Sequence, residues 1–334
     1  MNVKRGKRVL VTGAAGFIGS ALVWKLNELG QEDILVCDRL GTDEKWRNLV
    51  PLRFVDYLDA DDLLDRMAAG GKELGEIGLV LHMGACSATT ERDASFLMRN
   101  NFQFTQALCR WCLDHGARFV YASSAATYGD GSAGMSDAPD VDLMKLRPLN
   151  MYGYSKHLFD CWARREGLLN RMVGLKFFNV FGPNEDHKGD MRSVVHKAFH
   201  QIRATGKVQL FKSYHPDYAD GGQKRDFLYV KDCVDMTLHL ARQPMAGGLF
   251  NVGSGQAHTW VELVTPIFQA MQLPVEIEFI EMPEALRGKY QYFTKAEIRR
   301  LRAVGYDREP ALLSEAVTDY VTNHLLPGKH LGDG

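Results

Sequence analysis

Along the chain, continuously apolar runs alternate with stretches of helical periodicity. RVLVTG is followed by ALVWKLNEL, and ILVCD comes next. LRFVD then precedes DLLDRMA, LVLHMG precedes FLMRNNFQFTQALCRWCL, and RFVYASS ends the series. Runs without polar alternation belong to strands covered on both sides, so the pattern predicts a parallel sheet with helices on each face. Right-handed crossovers between such strands give a doubly wound α/β fold. After VGLKFFNVFGP the rhythm loosens. Gly182, Pro183 and NEDHKGD predict a loop, a helix is expected from about Met191, and SYHPDYADGGQKRD reads as a charged, glycine-rich connection. FLYVKDCVDMTLHLA and GLFNVG then return to strand and helix.

A chain of 334 residues exceeds what one core usually serves. Two lobes are expected: a dinucleotide-binding lobe of residues 1–178 plus about 226–256, and a smaller, discontinuous α/β substrate lobe of 179–225 plus about 257–334. The terminal HLGDG is expected to fray.

Charge narrows the partners. Forty basic and 41 acidic side chains leave a formal charge of -1, which provides no field for nucleic acid or an anionic membrane and points to small molecules. The opening MNVKRGKRVLVTG has too short an apolar run for a secretory leader or a bilayer span, so a cytoplasmic location is expected. Six scattered cysteines suit reduced thiols. Cys109 and Cys112 form a CxxC with no second pair or histidines nearby, and they read as two thiols of a helix rather than metal ligands.

Candidate chemistry begins at VTGAAGFIGS, between the first strand and the first helix. Gly13, Gly16 and Gly19 allow a tight turn, close approach of a pyrophosphate and close packing of helix on sheet, the Rossmann arrangement. The helix N-terminus at Phe17 and Ile18 then faces the phosphates. Asp38 ends the second strand, where a carboxylate accepts from a ribose, although a plain turn aspartate fits the position too. Arg39 and Lys45 follow it. A lone carboxylate favours NAD and adjacent cations accommodate the extra phosphate of NADP, so the residues leave that choice open. Asp56, read as closing the third strand, is a candidate for the adenine amine or for a turn.

Ser124 ends the strand in YASSAATYG, where open α/β sheets bind ligands, and either contacts a substrate alcohol or caps the strand. In LNMYGYSK, Lys156 shares a helix face with Tyr152, while Tyr154 points elsewhere. A unit charge about 4 Å away at an effective dielectric of about 20 is worth ~4 kcal/mol, or about three pKa units. On that reasoning Lys156 draws the Tyr152 phenol down toward neutrality and makes it a general base.

TGAAGFIG, the serine of ASSAATYG, and YGYSK together resemble an extended short-chain dehydrogenase/reductase acting on nucleotide sugars, of the NAD-dependent epimerase/dehydratase family. HMGACSATTERD, FFNVFGPNEDHKGDM, KRDFLYV, FNVGSG and LRGKYQYFTKA extend the likeness over nearly the whole chain, toward those members that invert carbon 6 of an ADP-heptose. The resemblance implies that a tightly bound NADP oxidises carbon 6 of ADP-D-glycero-β-D-manno-heptose and returns hydride to the other face, a step toward the lipopolysaccharide core. It also implies Lys188 as a second acid/base, where a loop lysine is otherwise a solvated one. Cofactor contacts would come from Met83, Gly84, Ala85, Cys86, Ser87, Asn100 and Val180. Asn179, Asp190, Lys197, Phe211, Ser213, Arg225 and Tyr290 would line the nucleotide-sugar side, Arg225 on the diphosphate. A homo-oligomer, a homopentamer, is implied as well. A nucleotide-sugar 4-epimerase shares the glycine turn, Ser124 and the Tyr/Lys pair but would leave Lys188 idle. A 4,6-dehydratase would want an acidic pair where Ala125 and Ala126 stand. A non-catalytic nucleotide-binding subunit would be free to lose Tyr152 or Lys156, and both are present.

Overall fold

The computed structural model describes residues 7–287 and 290–334. The leader reading rests largely on residues 1–6, which lie outside the described residues. Six strands come first: β1 (Arg8–Thr12), β2 (Ile34–Asp38), β3 (Asp56–Asp59), β4 (Ile77–His82), β5 (Arg118–Ser124) and β6 (Val173–Phe177). The chain then makes the short β7 (Asn179–Phe181), β8 (Val208–Phe211), β9 (Lys224–Arg225) and β10 (Phe227–Tyr229). It returns to the main sheet as β11 (Gly248–Val252) and ends its strands with β12 (His258–Thr259) and β13 (Ile277–Ile280). The main sheet runs β11-β6-β5-β4-β1-β2-β3, all parallel. Strand order reverses between β1 and β4, and at such a switch point the crevice beyond the carboxyl ends of the strands binds ligands.

Helices α1 (Phe17–Glu28), α2 (Ala60–Ala68), α3 (Ala94–Leu97), α4 (Phe104–Asp114), α5 (Met151–Arg165), α6 (Val194–Thr205), α7 (Val230–Arg242) and α8 (Trp260–Ala270) complete the frame. β1 and β2 are buried almost throughout, as strands covered on both faces must be. One apolar cluster joins β1, α1 and α7 to β8, α6 and α8, so these later elements pack on the same core as the sheet. Cys109 and Cys112 are buried on α4, where burial pushes the Cys109 thiol up to about 12. No described helix is long and apolar enough to cross a membrane.

Three expectations are corrected. The strand read at LRFVD forms four residues later, as Asp56–Asp59, because Val55 is 56% exposed and the Arg53 amide is taken by the Asn27 side chain at 2.7 Å. Asp56 therefore opens β3 rather than closing it, opposite Leu35, at the end of the sheet away from the ligand crevice; Asp59 is the residue opposite Asp38. The helix expected from about Met191 begins at Val194, capped by Ser193, whose hydroxyl accepts the His196 amide. The terminus does not fray: Leu331 is 2% exposed and its amide donates to Asn184 Oδ1 at 2.9 Å.

Candidate active site

β1 ends at Thr12, and Gly13 turns the chain with φ +65°. A Cβ on Gly13 would lie 2.6 Å from the Gly84 backbone, and one on Gly19 would lie 1.9 Å from the Gly13 carbonyl. Only glycine lets turn, helix and the loop after β4 come together here. α1 starts with no side-chain cap, Gly16 standing at the N-cap, so its first amides remain available to an anion. This cradle fits a dinucleotide pyrophosphate. Asp38, buried at the end of β2, accepts from the Ala15 amide at 2.9 Å, the Arg39 amide at 2.8 Å and Lys45 Nζ at 3.0 Å. Arg39 donates to Asn100 Oδ1 at 2.7 Å and pairs with Asp61. Arg39, Lys45, Asn100, Gly84, Ala85 and Cys86 line a groove of about 260 Å³ beyond Asp38. Asp56 does not line it.

The loop Met83–Ser87 is held by a buried network that sequence reasoning missed. The Gly84 amide donates to Thr12 Oγ1 at 3.2 Å, and His82 bridges the hydroxyls of Thr12 and Thr105 at 2.6 and 2.9 Å. Because the Thr105 hydroxyl donates to the Asn101 carbonyl, His82 is assigned as a neutral ring protonated on Nε2. Burial drives its pKa down to about 3, with the Lys156 charge adding to the effect. Asn101 exchanges hydrogen bonds with the backbone of Cys86 and donates to Ser155 Oγ at 3.0 Å. It sits in a π-helical segment, Met98–Gln103, between α3 and α4, and such wide turns recur at functional sites.

At the other end of the cleft, Ser124, Tyr152, Lys156, Val180 and Lys188 line a single cavity of about 310 Å³ together with Gly13, Phe17 and Met83. Asn150 caps α5 by accepting the Gly153 amide at 2.8 Å, which starts the helix one residue before Tyr152. A Cβ on Gly153 would lie 2.8 Å from the Ala126 carbonyl, so the glycine in YGYSK sets α5 tight against the turn after Ser124. Tyr154 faces outward, 44% exposed, as the helical spacing requires.

The expected fall of the Tyr152 pKa is not seen. Burial holds the phenol above its ordinary value; Ser124, within hydrogen-bonding reach, works against this in part. Lys156 Nζ donates instead to the Ala122 carbonyl at 2.7 Å, and burial lowers the Lys156 pKa to about 8. Burial of the phenol itself therefore decides the direction, and the Lys156 ammonium is engaged with the strand rather than with Tyr152.

One turn beyond Lys156, the buried Asp160 accepts from Tyr121 at 2.9 Å, Ser123 at 2.8 Å and Lys176 at 3.0 Å, clamping the end of β5 to α5. This clamp left no signal in the sequence, because its four members come from three separate elements.

Lys188, carried on the short helical segment Asp186–Met191, lines the same cavity, with Nζ 4.9 Å from the Phe17 ring. Its pKa is lowered, first by burial, with Lys197 adding and Glu185 opposing. His187, unforeseen from the sequence, lines the same cavity, and burial pushes it down to about 4.

The remaining substrate candidates do not line this cavity. Arg225 is 6% exposed, 5.3 Å from the Tyr290 ring and 5.8 Å from Trp260, and Trp260 Nε1 donates to the Tyr290 hydroxyl at 2.9 Å. Phe211 ends β8, and the amide of Ser213 just beyond it donates to Asp220 at 2.7 Å. Asn179, Asp190 and Lys197 lie exposed, Asn179 at the start of β7 and Lys197 on α6.

A glycine turn, a strand-end acid and a Ser/Tyr/Lys set on one switch-point crevice define a nicotinamide-dependent sugar-nucleotide enzyme. Residues 9–253 match the model of the NAD dependent epimerase/dehydratase family, and the chain belongs to that family. Its relatives carry a narrower name. It is 58% identical over 316 residues to the ADP-L-glycero-D-manno-heptose-6-epimerase of Nitratidesulfovibrio vulgaris, covering 95% of this chain and 97% of that one. It is 46% identical over 326 residues to the same enzyme of Fusobacterium nucleatum, covering 95% and 98%. Among solved structures, the Helicobacter pylori ADP-L-glycero-D-manno-heptose-6-epimerase superposes with a TM-score of 0.77 at 26% identity over 97% of this chain and 99% of that one. The Thermus thermophilus UDP-glucose 4-epimerase in complex with NAD gives 0.74 at 25% identity over 96% and 100%. The protein is an epimerase, hence an isomerase, built on a nicotinamide-binding fold.

Proposed function

We propose that this protein inverts carbon 6 of ADP-D-glycero-β-D-manno-heptose to give ADP-L-glycero-β-D-manno-heptose, the heptose precursor of the lipopolysaccharide core. The observation that carries this reading is that Lys188 lines the same cavity as Tyr152, since inversion at one carbon calls for two proton-transferring groups, one for each face. Tyr152 exchanges the proton of the 6-hydroxyl on one face, and Ser124 hydrogen-bonds that hydroxyl to keep it in line. Lys188, its ammonium made less stable by burial, exchanges the proton on the other face. Lys156 holds the ribose edge beside Tyr152. A bound nicotinamide supplies the acceptor and donor of the hydride, and with no net redox it stays in place.

Gly13, Gly16, Phe17, Ile18 and Gly19 hold the pyrophosphate, Asp38 the ribose, and Arg39 with Lys45 the additional phosphate that makes NADP the preferred form. Lys45 already neutralises Asp38, which removes the repulsion a lone carboxylate would exert on that phosphate. Arg225 and Tyr290 take the diphosphate side of the substrate, with Asn179, Asp190, Lys197, Phe211 and Ser213 around it. The protein works in the cytoplasm as a homo-oligomer, a homopentamer by resemblance.

The test is to incubate the purified protein with the D-glycero substrate and follow carbon 6 by NMR. Appearance of the L-glycero signal at equilibrium supports the reading. A substrate that stays unchanged while UDP-sugars are inverted at carbon 4 would replace it with a 4-epimerase. Release and mass spectrometry of the bound dinucleotide identifies the cofactor, and sedimentation velocity the assembly.

A further inference from the structure

Asp186 pairs with His196 Nε2 at 2.9 Å and His187 Nδ1 lies 3.4 Å from Asn48 Nδ2, but beyond them the segment that carries Lys188 has little to fix it. The next residue, Gly189, is exposed with φ +53°, Asp190 is exposed, and the backbone there is held to its own start by the Lys188 amide, which donates to the Glu185 carbonyl at 3.0 Å. A flexible lysine stem on such a segment would sample many positions. Its place in the cavity is set by those two ties and by what anchors the chain just before them.

That anchor is Asn184, four residues upstream. It is 1% exposed and adopts φ +78°, a left-handed conformation that Asn tolerates better than most residues. Three of its polar atoms reach distant stretches. The side-chain amide donates to Ser20 Oγ on α1 at 3.0 Å. The side-chain carbonyl accepts the Leu331 amide, 147 residues ahead, at 2.9 Å. The backbone carbonyl accepts Asn48 Nδ2 at 3.1 Å, and that same Asn48 amide donates to the Ala15 carbonyl in the glycine turn at 2.9 Å. Phe17, whose ring lies under the Lys188 ammonium, belongs to the same first turn of α1 as Ser20.

We propose that Asn184 is the positioning residue for Lys188. By joining the lysine segment to the glycine turn, to α1 and to the C-terminal segment, it fixes the distance between the second acid/base and the dinucleotide cradle. Neighbouring Glu185 is fully buried and anchors the downstream side through Ser193 and the Tyr320 hydroxyl, the latter at 3.2 Å. Removal of that buried charge would compromise folding. Asn184 therefore carries the assignment in testable form. The role given to Lys188 rests on the function proposed above; the geometry of the anchor does not.

The experiment compares wild type, Asn184→Gly, Lys188→Met and the double variant, as full-length protein. Glycine keeps the left-handed backbone and removes only the side-chain ties. Two readouts are taken. Competitive acetylation of Lys188 with acetic anhydride, followed by peptide mass spectrometry, needs no substrate: Asn184→Gly is expected to raise the labelling rate of Lys188 several-fold, while lysines on other segments keep theirs. Epimerisation kinetics supply the second. Since a misplacement of about 1 Å can cost ~100-fold, kcat is expected to fall about tenfold or more with KM little changed, and the double variant is expected to be no slower than Lys188→Met alone. Unchanged Lys188 labelling in Asn184→Gly overturns the proposal. So does a double variant in which the two losses multiply, since the residues would then act independently. Altered labelling with no wild-type turnover of ADP-heptose would uphold the anchor and overturn the functional reading instead.

Discussion

Lys156 Nζ donates its hydrogen bond to the Ala122 carbonyl at 2.7 Å and not to Tyr152, its neighbour one helical turn away. The pairing binds α5 to the strand that ends in Ser124, and it takes the ammonium out of water. Below about pH 8 folding buries a charged lysine; in the unfolded chain the same group keeps its proton to about 10.5. Between those values the unfolded state binds more protons, so stability rises with pH, by about 3 kcal/mol over the interval. Urea unfolding of wild type and Lys156→Met at pH 8 and pH 10.5 checks this. The rise is expected to be larger in wild type by that amount; equal slopes in the two proteins would refute it.

Tyr152→Phe removes the proton-transferring oxygen and leaves the ring packing and the glycine cradle intact. Epimerisation is expected to drop about 1,000-fold or more, within the range for loss of general acid–base catalysis, while the dinucleotide content measured after acid release stays at the wild-type level. Retention of wild-type activity would remove Tyr152 from the chemistry.

Lys188→Met keeps the length of the stem over Phe17 and deletes the ammonium. Turnover is expected to fall about 100-fold or more, with transfer of the carbon-6 hydride to the bound nicotinamide slowed less for the epimer oxidised from the Tyr152 face than for the other. Single-turnover reduction of the bound cofactor by each C6 epimer, read from the absorbance of the reduced nicotinamide, measures this asymmetry, and equal losses from both would demote Lys188 to a loop residue.

Gly153→Ala places a methyl 2.8 Å from the Ala126 carbonyl, a backbone atom that cannot swing aside as a side chain would. α5 must shift away from the turn after Ser124, so kcat is expected to fall about tenfold or more with only a modest change in melting temperature. Wild-type kinetics in this variant would show that the Tyr152–Ser124 spacing tolerates movement.

His82 is neutral, and its burial, with the Lys156 charge adding, opposes a proton on Nδ1. Its folded-state pKa of about 3 lies below 6.5, so as pH falls through 6.5 the unfolded chain gains a proton that the folded one refuses, and stability is lost. At pH 5 the loss is about 2 kcal/mol. Denaturant midpoints at pH 7 and pH 5 for wild type and His82→Gln are expected to show a smaller drop in the variant.

The sheet, the glycine turn and the opposed faces of Tyr152 and Tyr154 were legible because each is a local pattern, of period, spacing or strand end. The strand at LRFVD was misplaced because Leu52, Phe54 and Val55 supply apolar character without a buried ladder. Asn101, Asp160, Lys176, His82 and Asn184 were invisible as a group, since their meaning lies in partners 15 to 147 residues away. The pull of Lys156 on Tyr152 was overestimated for a related reason. Helical spacing brings two side chains to one face, but it says nothing of a strand carbonyl waiting beneath them.

The sheet is finished late in the chain's course. β11 pairs with β6, yet 71 positions separate Phe177 from Gly248, and the intervening residues build β7 to β10, α6 and α7. Until that long loop closes, the outer edge of β6 offers unpaired amides and carbonyls to any passing strand. Closure over such a separation is slow and entropically expensive. During synthesis and refolding this edge is a line of vulnerability, and slow folding of residues 178–247 would be felt there as aggregation rather than as loss of catalysis.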